Sequence, residues 1–153
     1  MNEDNVIDGV INYLKFDLQR RSRKFIVDKR AQAKDNDHGI DLRGHALSNG
    51  KRSTRYYVEA KGTRKVGDNS EKSSPFEYEF RWAISQIVLQ MKEFSSASNY
   101  GIAIPMTEKK TALKLMKGSK GLKTLKIRLY LAYKADNGEY FAQELTPKDI
   151  YEC

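Results

Sequence analysis

Two carboxylates and a lysine lie in two strand-like stretches of the sequence, where together they could bind a cation and act on a phosphate. Asp41 alternates with Ile40 and Leu42, which predicts a strand with the aliphatic side chains on one face and the carboxylate on the other. Glu59 precedes Lys61 by two residues in the next strand-like run. Two carboxylates on neighbouring strands, beside an ammonium group, suit a hard divalent cation, which prefers oxygen ligands.

A predicted hairpin turn joins these two stretches. Residues 48–51 contain Asn49-Gly50, the dipeptide that most strongly favours a tight hairpin. The residues of the second strand are expected to alternate between its faces, with Tyr57, Glu59 and Lys61 on one and Tyr56, Val58 and Ala60 on the other. A hairpin of this kind would hold Asp41 and Glu59 on neighbouring strands.

These residues resemble the catalytic core of the PD-(D/E)xK nucleases, the restriction-endonuclease-like superfamily. Gly39-Ile40-Asp41 matches the aspartate motif, with Ile40 in place of the family's proline, and Glu59-Ala60-Lys61 matches the ExK motif. The chain is similar in size to small members such as Holliday-junction resolvases and Mrr-like nucleases. The resemblance implies one α/β domain over residues 1–153, with an αβββαβ core and a mixed sheet flanked by helices.

The resemblance also implies a metal-dependent phosphodiester hydrolase. Asp41, Glu59 and the carbonyl of Ala60 would hold Mg²⁺ or Mn²⁺, which can act as a Lewis acid and lower the pKa of a bound water. Lys61 would orient or deprotonate the attacking water, or offset charge on the phosphate. Gln86, on the helix that follows the ExK motif, is the fourth catalytic residue that the resemblance implies.

Basic and amide side chains around these motifs are expected to contact nucleic acid. They are Arg43, Arg64, Lys65, Arg81 and Gln90. The net charge is +8, and eight basic residues but no acidic one lie between Lys109 and Arg128. Such a surface attracts a polyanion towards a carboxylate site that would otherwise repel it.

The pattern of apolar residues predicts alternating helices and strands. Amphipathic helices are expected at residues 3–20, 80–94 and 107–117, with Thr107 as the cap of the last, and strands at 24–27, 99–105, 125–133 and 140–142. The segment from 62 to 79 lacks periodicity and is predicted to be a loop. Residues 136–138 predict a second hairpin turn.

The helix at residues 80–94 has a broad apolar face that is expected to lie in the core. Its members are Phe80, Ala83, Ile84, Ile87, Val88, Met91 and Phe94. Trp82, Gln86 and Gln90 follow one another at four-residue spacing and are expected to form one row on another side of the helix.

Other acidic residues and histidines near the motifs are weaker candidates. The family often adds an acidic residue from its first helix, and the candidates here are Glu3, Asp4, Asp8 and Asp17. His38 and His45 flank Asp41 but are expected to be surface or phosphate-contacting groups rather than ligands. A second ExK triplet, residues 108–110, is predicted to lie in the first turn of a helix.

Composition limits the protein class. No apolar run approaches the length of a membrane span, no signal peptide is recognisable, and the one cysteine is Cys153, so a cytoplasmic protein without disulfides is expected. The expected activity is that of a DNA endonuclease that works as a homodimer or is recruited by a partner protein, although the residues do not separate DNA from RNA. A catalytically silent nucleic-acid-binding module, or an assembly subunit with the same fold, is the alternative.

Overall fold

A mixed sheet of six strands forms the centre of the protein. The computed structural model describes residues 1–31, 40–63, 76–92 and 95–152. The strands are β1 (Lys24–Arg30), β2 (Leu42–Ser48), β3 (Lys51–Ala60), β4 (Ser98–Pro105), β5 (Arg128–Lys134) and β6 (Tyr140–Leu145). They lie in chain order across the sheet. β1, β2 and β3 are antiparallel, β3, β4 and β5 are parallel, and β6 runs antiparallel to β5.

Helices flank this sheet on both faces, so the fold is α/β, as predicted. They are α1 (Glu3–Arg20), α2 (Phe76–Gln90), α3 (Lys109–Lys117), α4 (Lys120–Leu125) and α5 (Pro147–Tyr151), with a short 3-10 helix at Met106–Glu108 before α3. α1 packs on one face of the sheet, and the apolar residues of α2 to α5 form a second core on the other face. In the described residues, no helix is both long enough and apolar enough to cross a membrane.

Several local predictions are confirmed. α1 has the predicted bounds, and its apolar stripe is buried against the sheet. Asn49 and Gly50 form the turn between β2 and β3, with φ angles of 51° and 75°. Both central residues of a type I′ turn need positive φ, which explains the Asn-Gly pair. Gly138 also has a positive φ, of 86°, in the turn between β5 and β6.

The first predicted strand differs from the structure at its beginning. β2 starts at Leu42, and Asp41 lies in a bend immediately before it. Ile40 and Leu42 therefore do not share a face: Ile40 packs with the core of α2 to α5, whereas Leu42 packs under α1. The prediction that both aliphatic side chains point to one face was wrong, because the chain turns at Asp41.

α2 starts four residues earlier than predicted and ends at Gln90. The start extends to Phe76 because its ring packs on Phe80, with ring centroids 6.0 Å apart. Phe80, Ala83 and Ile87 are fully buried, but Val88 is 38% exposed and does not belong to the core face.

The chain after β4 contains more helix than predicted. Residues 106–108 form a 3-10 turn, α3 starts at Lys109, and Thr107 is therefore not its cap. The second ExK triplet lies in this 3-10 turn and the start of α3, as expected. Ser119 caps α4 by accepting a hydrogen bond from the amide of Leu122, and Lys126 ends it in the left-handed conformation. β5 consequently starts at Arg128, later than predicted.

Some predictions fall outside the described residues. They concern Gly39 of the aspartate motif, His38, Arg64, Lys65, Phe94, Cys153 and most of the predicted loop at residues 62–79.

Gly62 fixes the start of α1 against the end of β3. A Cβ at Gly62 would lie 2.8 Å from backbone atoms of Met1, Asn2 and Glu3. Because backbone atoms cannot rotate away, Gly62→Ala should lower the free energy of unfolding by about 1–3 kcal/mol. Gly118→Ala is the control, since no atom lies within 4 Å of its Cβ position. The measurement is urea unfolding of both variants. Equal stability of Gly62→Ala and Gly118→Ala would contradict this packing.

Candidate active site

The register of β2 against β3 brings the two predicted carboxylates together. Leu42 pairs with Val58, and continuing this antiparallel register places Asp41 opposite Glu59. The amide of Ala60 donates a hydrogen bond of 2.8 Å to Asp41 Oδ2. The amide of Ala31 donates to the carbonyl of Asp41 at 2.7 Å, which fixes the bend from the β1 side.

A β-bulge in β3 sets this register. Ser48 pairs with Lys51 beside the turn, but beyond the bulge the pairing is shifted by one residue, so that His45 pairs with Arg55. Without the shift Asp41 would lie opposite Val58, whose side chain belongs to the core under α1. A one-residue slip moves a side chain to the opposite face of a sheet. The bulge therefore places Asp41 on the same face as Glu59.

Glu59 is a buried carboxyl group with an unsatisfied oxygen. Its side chain is 6% exposed, and among the described residues its Oε2 atom has no hydrogen-bond partner. Burial and the negative charge of Asp41 raise the pKa of Glu59 to about 7, against the opposing effect of Lys61. Burial also raises the pKa of Asp41, opposed by the Ala60 amide, by Lys61 and by a side-chain hydrogen bond with Glu59. The carboxyl groups of Asp41 and Glu59 lie side by side with little access to water, which destabilises their ionised forms.

Lys61 lies directly after the end of β3, which is one residue shorter than predicted. Its Nζ atom is 3.5 Å from Glu59 Oε1 and 3.7 Å from Glu3 Oε1, and its side chain is 15% exposed. Burial lowers the pKa of Lys61, but the negative charges of Glu3, Glu59 and Asp41 outweigh it and leave this pKa above its ordinary value. Lys61 is therefore an ammonium group at neutral pH.

Glu3 is the acidic residue of α1 that reaches this site. Asp8 forms an ion pair with Arg30, and Asp17 is held by Arg20 and Arg21. Glu3 is placed by the packing of Gly62 on the first residues of the chain and by a hydrogen bond of 2.9 Å from the Thr63 amide to the Met1 carbonyl. The sequence left four carboxylates as alternatives because a helical pattern does not show where the helix start will pack.

The other predicted residues lie at different places around the site. Arg43 is exposed on β2, and Arg81 is exposed and pairs with Glu77 at 2.9 Å. Gln86 and Gln90 are partly buried on α2. His45 is hydrogen-bonded to Asp28, with His45 Nδ1 2.7 Å from Asp28 Oδ2.

Sequence reasoning missed two charged residues near the pair. The charge of Glu79 contributes to raising the pKa of Glu3, so the first turns of α2 lie near the site. Lys29 on β1 lies near Asp41, since its positive charge lowers the pKa of that carboxyl. Glu79 was predicted to belong to a loop. Gln86 lies on the same side of α2 as Glu79 but about 10 Å further along the helix axis.

The residues present fit a divalent cation. Asp41 and Glu59 repel each other, and Glu59 Oε2 is a buried acceptor without a donor in the described part of the chain. A cation bound between the two carboxylates would offset the repulsion between their charges and provide a partner for Glu59 Oε2. The Ala60 carbonyl would supply a further oxygen of the kind that Mg²⁺ prefers. Within the described ranges, no group of three or more histidine, cysteine, aspartate or glutamate side chains is arranged to hold an ion. The candidate set is thus two carboxylates and a backbone carbonyl.

No protein-family model, curated protein or solved structure matches this chain. The site is therefore characterised by its own geometry. Its components are the carboxylate pair of Asp41 and Glu59, the Lys61 ammonium and the nearby carboxylate of Glu3.

The raised pKa of Glu59 predicts a pH-dependent stability in the absence of metal. Between pH 4.5 and about 7 the folded protein keeps a proton that the unfolded chain releases. The free energy of unfolding should therefore fall as the pH rises through this range, by about 1–3 kcal/mol. Glu59→Gln should lose this dependence. Urea unfolding in EDTA at several pH values measures it, and parallel profiles for both proteins would contradict the prediction.

Proposed function

We propose that this chain is a metal-dependent nuclease that hydrolyses phosphodiester bonds, with DNA as the expected substrate. The main support is the pair of the partly buried Asp41 and the buried Glu59, with an unsatisfied Glu59 oxygen and a lysine ammonium 3.5 Å from the other oxygen. Structural ion pairs in proteins normally satisfy their buried oxygens. A site that leaves one unsatisfied beside a like charge is better explained by a bound cation.

The proposed roles follow from the positions of the side chains. Asp41, Glu59 and the Ala60 carbonyl hold Mg²⁺ or Mn²⁺, which when bound supplies positive charge for the scissile phosphate. Asp41 is oriented for this by the Ala60 amide. Lys61, held between Glu3 and Glu59, neutralises charge on the phosphate and orients the attacking water. Gln86 remains a candidate for positioning the phosphate.

The order of elements supports the proposed family. From α1 to β4 the chain has one helix, three strands, a second helix and a fourth strand, the order expected for the PD-(D/E)xK core. A cytoplasmic enzyme, acting as a homodimer or with a partner protein, is part of the same proposal.

The alternative proposal is a nucleic-acid-binding module without turnover. Its support is a basic surface on β1, β2 and β3 that includes Lys29, Arg43 and Arg55, since phosphate binding by such a surface needs no metal ion. The two proposals differ in whether Asp41, Glu59 and Lys61 are needed for a covalent change in the nucleic acid.

Cleavage assays test the nuclease directly. Purified protein is incubated with plasmid, linear duplex, single strand, a four-way junction and structured RNA, with Mg²⁺, Mn²⁺ or EDTA. Cleavage should require the metal and fall at least 100-fold in Asp41→Ala, Glu59→Ala and Lys61→Ala, because each removes a ligand or a charge at the reacting phosphate.

The second ExK triplet provides matched controls. Glu108→Ala and Lys110→Ala remove the same residue types from the 3-10 turn and the start of α3, and both should cut as the wild type does. If the protein binds nucleic acid in a salt-sensitive way but does not cleave it, and if this binding is unchanged in the Glu59 and Lys61 variants, the result would favour the binding module over the nuclease.

Glu3 should act through Lys61. Glu3→Ala removes the carboxylate 3.7 Å from Lys61 Nζ and should lower kcat about 10-fold with little change in KM, as for other groups that orient a catalytic residue. Asp4→Ala is the control on the same helical turn. An equal effect of both variants would indicate a loss of helix stability instead.

A further inference from the structure

A row of side chains crosses the sheet beside the carboxylate pair. In the strand register, Lys29 on β1 pairs with Arg43 on β2, Arg43 with Tyr57 on β3, and Tyr57 with Tyr100 on β4. Residues directly opposite one another on paired strands share a face. Arg43 lies two residues from Asp41, and Tyr57 lies two residues from Glu59. Two residues span about 7 Å along a strand.

The two bulges of the antiparallel strands assemble this row. The bulge in β3 brings Tyr57 opposite Arg43, as it brings Glu59 opposite Asp41. A second register shift, between Val27 and Lys29 in β1, brings Lys29 rather than Asp28 opposite Arg43. The row and the carboxylate pair are thus products of the same register and lie on the same face.

A polar cavity of about 510 Å³ opens over this part of the sheet. Its lining includes Tyr57 and the ionisable residues Asp28, Lys29, Arg43, His45, Arg52 and Arg55. Apart from His45, the described lining residues include four cations and one carboxylate. The cavity therefore carries a net positive charge, which suits phosphate groups.

Tyr57 presents an aromatic surface between this cavity and Tyr100. The two rings are stacked, with centroids 4.9 Å apart and planes 16° from parallel. Tyr100 is buried, whereas Tyr57 is partly exposed and lines the cavity. In the part of the chain that the structure describes, Arg43 neither pairs with a carboxylate nor lies over the Tyr57 ring.

One wall of the cavity is held by a partly buried hydrogen bond. His45 is 5% exposed, and its Nδ1 atom is 2.7 Å from Asp28 Oδ2. The other oxygen of Asp28 lies 3.7 Å from Arg52. Asp28 is thus held on this wall by contacts with His45 and Arg52.

We infer that this cavity binds an unpaired nucleotide, with its base between the Tyr57 ring and the Arg43 guanidinium and its phosphates on the surrounding cations. Aromatic rings and arginine planes both stack on bases, and a basic groove follows the backbone of a single strand. The inference rests on the proposed nuclease. It specifies the substrate as nucleic acid with a single-stranded segment at the cut site, whether DNA or RNA.

The dimensions favour an unpaired base over a duplex. In a duplex each base is stacked and paired inside the helix, so its face cannot reach Tyr57 without being flipped out. A cavity of about 510 Å³ is in the size range of small-ligand pockets rather than of a groove for a double helix. We call the space between the Tyr57 ring and the Arg43 guanidinium the slot. A base held in the slot would place its own strand about 7 Å from the carboxylate pair.

The test uses single-stranded DNA and RNA oligonucleotides that carry one 2-aminopurine, whose fluorescence is quenched by stacking. In EDTA, the wild type should bind and quench the probe. Tyr57→Leu should bind roughly 5- to 100-fold more weakly, the range expected for loss of one base stack, and without quenching. Tyr57→Phe keeps the ring and should behave as the wild type does.

Matched controls lie at the other end of the sheet. Tyr140→Leu, on β6, removes a partly exposed tyrosine, and Lys134→Gln, on β5, removes an exposed cation; both should bind as the wild type does. Arg43→Gln changes an exposed residue, so it tests the slot even if Tyr57→Leu fails to fold, and should weaken binding at least 5-fold. The fully paired form of the probe should show no quenching.

The outcomes separate this inference from the nuclease itself. Wild-type binding by Tyr57→Leu, or an equal loss in Tyr140→Leu, would overturn the slot, and so would tighter binding of the duplex with quenching. Quenching that depends on Tyr57 and persists in Glu59→Ala would support the slot even if no substrate were cut. Metal-dependent cleavage without quenching would support the nuclease and reject the slot.

Discussion

The placement of the partly buried Asp41 beside the buried Glu59 is the constraint on which the rest of the site depends. The negative charge of Asp41 raises the pKa of Glu59, and burial raises the pKa of both carboxyl groups. The Ala60 amide and the Lys61 ammonium offset part of this cost. Since Glu59 Oε2 keeps no partner among the described residues, the protein alone does not balance the pair. This imbalance is the main support for the proposed cation.

The architecture supports this arrangement from both faces of the sheet. α1 covers one face, and its start packs on Gly62 so closely that a side chain there would collide with the backbone. This contact carries Glu3 to Lys61. α2 covers part of the other face, and Glu79 in its first turn acts electrostatically on Glu3. Residues far apart in the chain thus meet at the end of β3.

The same strands link the carboxylate pair to the basic cavity. Because side chains alternate along β3, the face that carries Glu59 also carries Tyr57, and Arg43 lies opposite Tyr57 on β2. A substrate strand lying along this face would meet cations and an aromatic ring before it reached the carboxylates. The residues that bind the substrate and the residues that act on it would then be positioned by the same two strands rather than by separate loops.

The sequence by itself determined the local features. These are the bounds of α1, the Asn49-Gly50 turn, the alternation along β3 and the ExK spacing of Glu59 and Lys61, all of which depend on near neighbours. The tertiary structure alone decided the bulge that puts Asp41 on the face of Glu59, the bend that separates Ile40 from Leu42, and the choice of Glu3. A bulge is selected by the packing of both faces of the sheet, and a helix start by what lies against it. Those contacts join distant parts of the chain, so no local pattern encodes them.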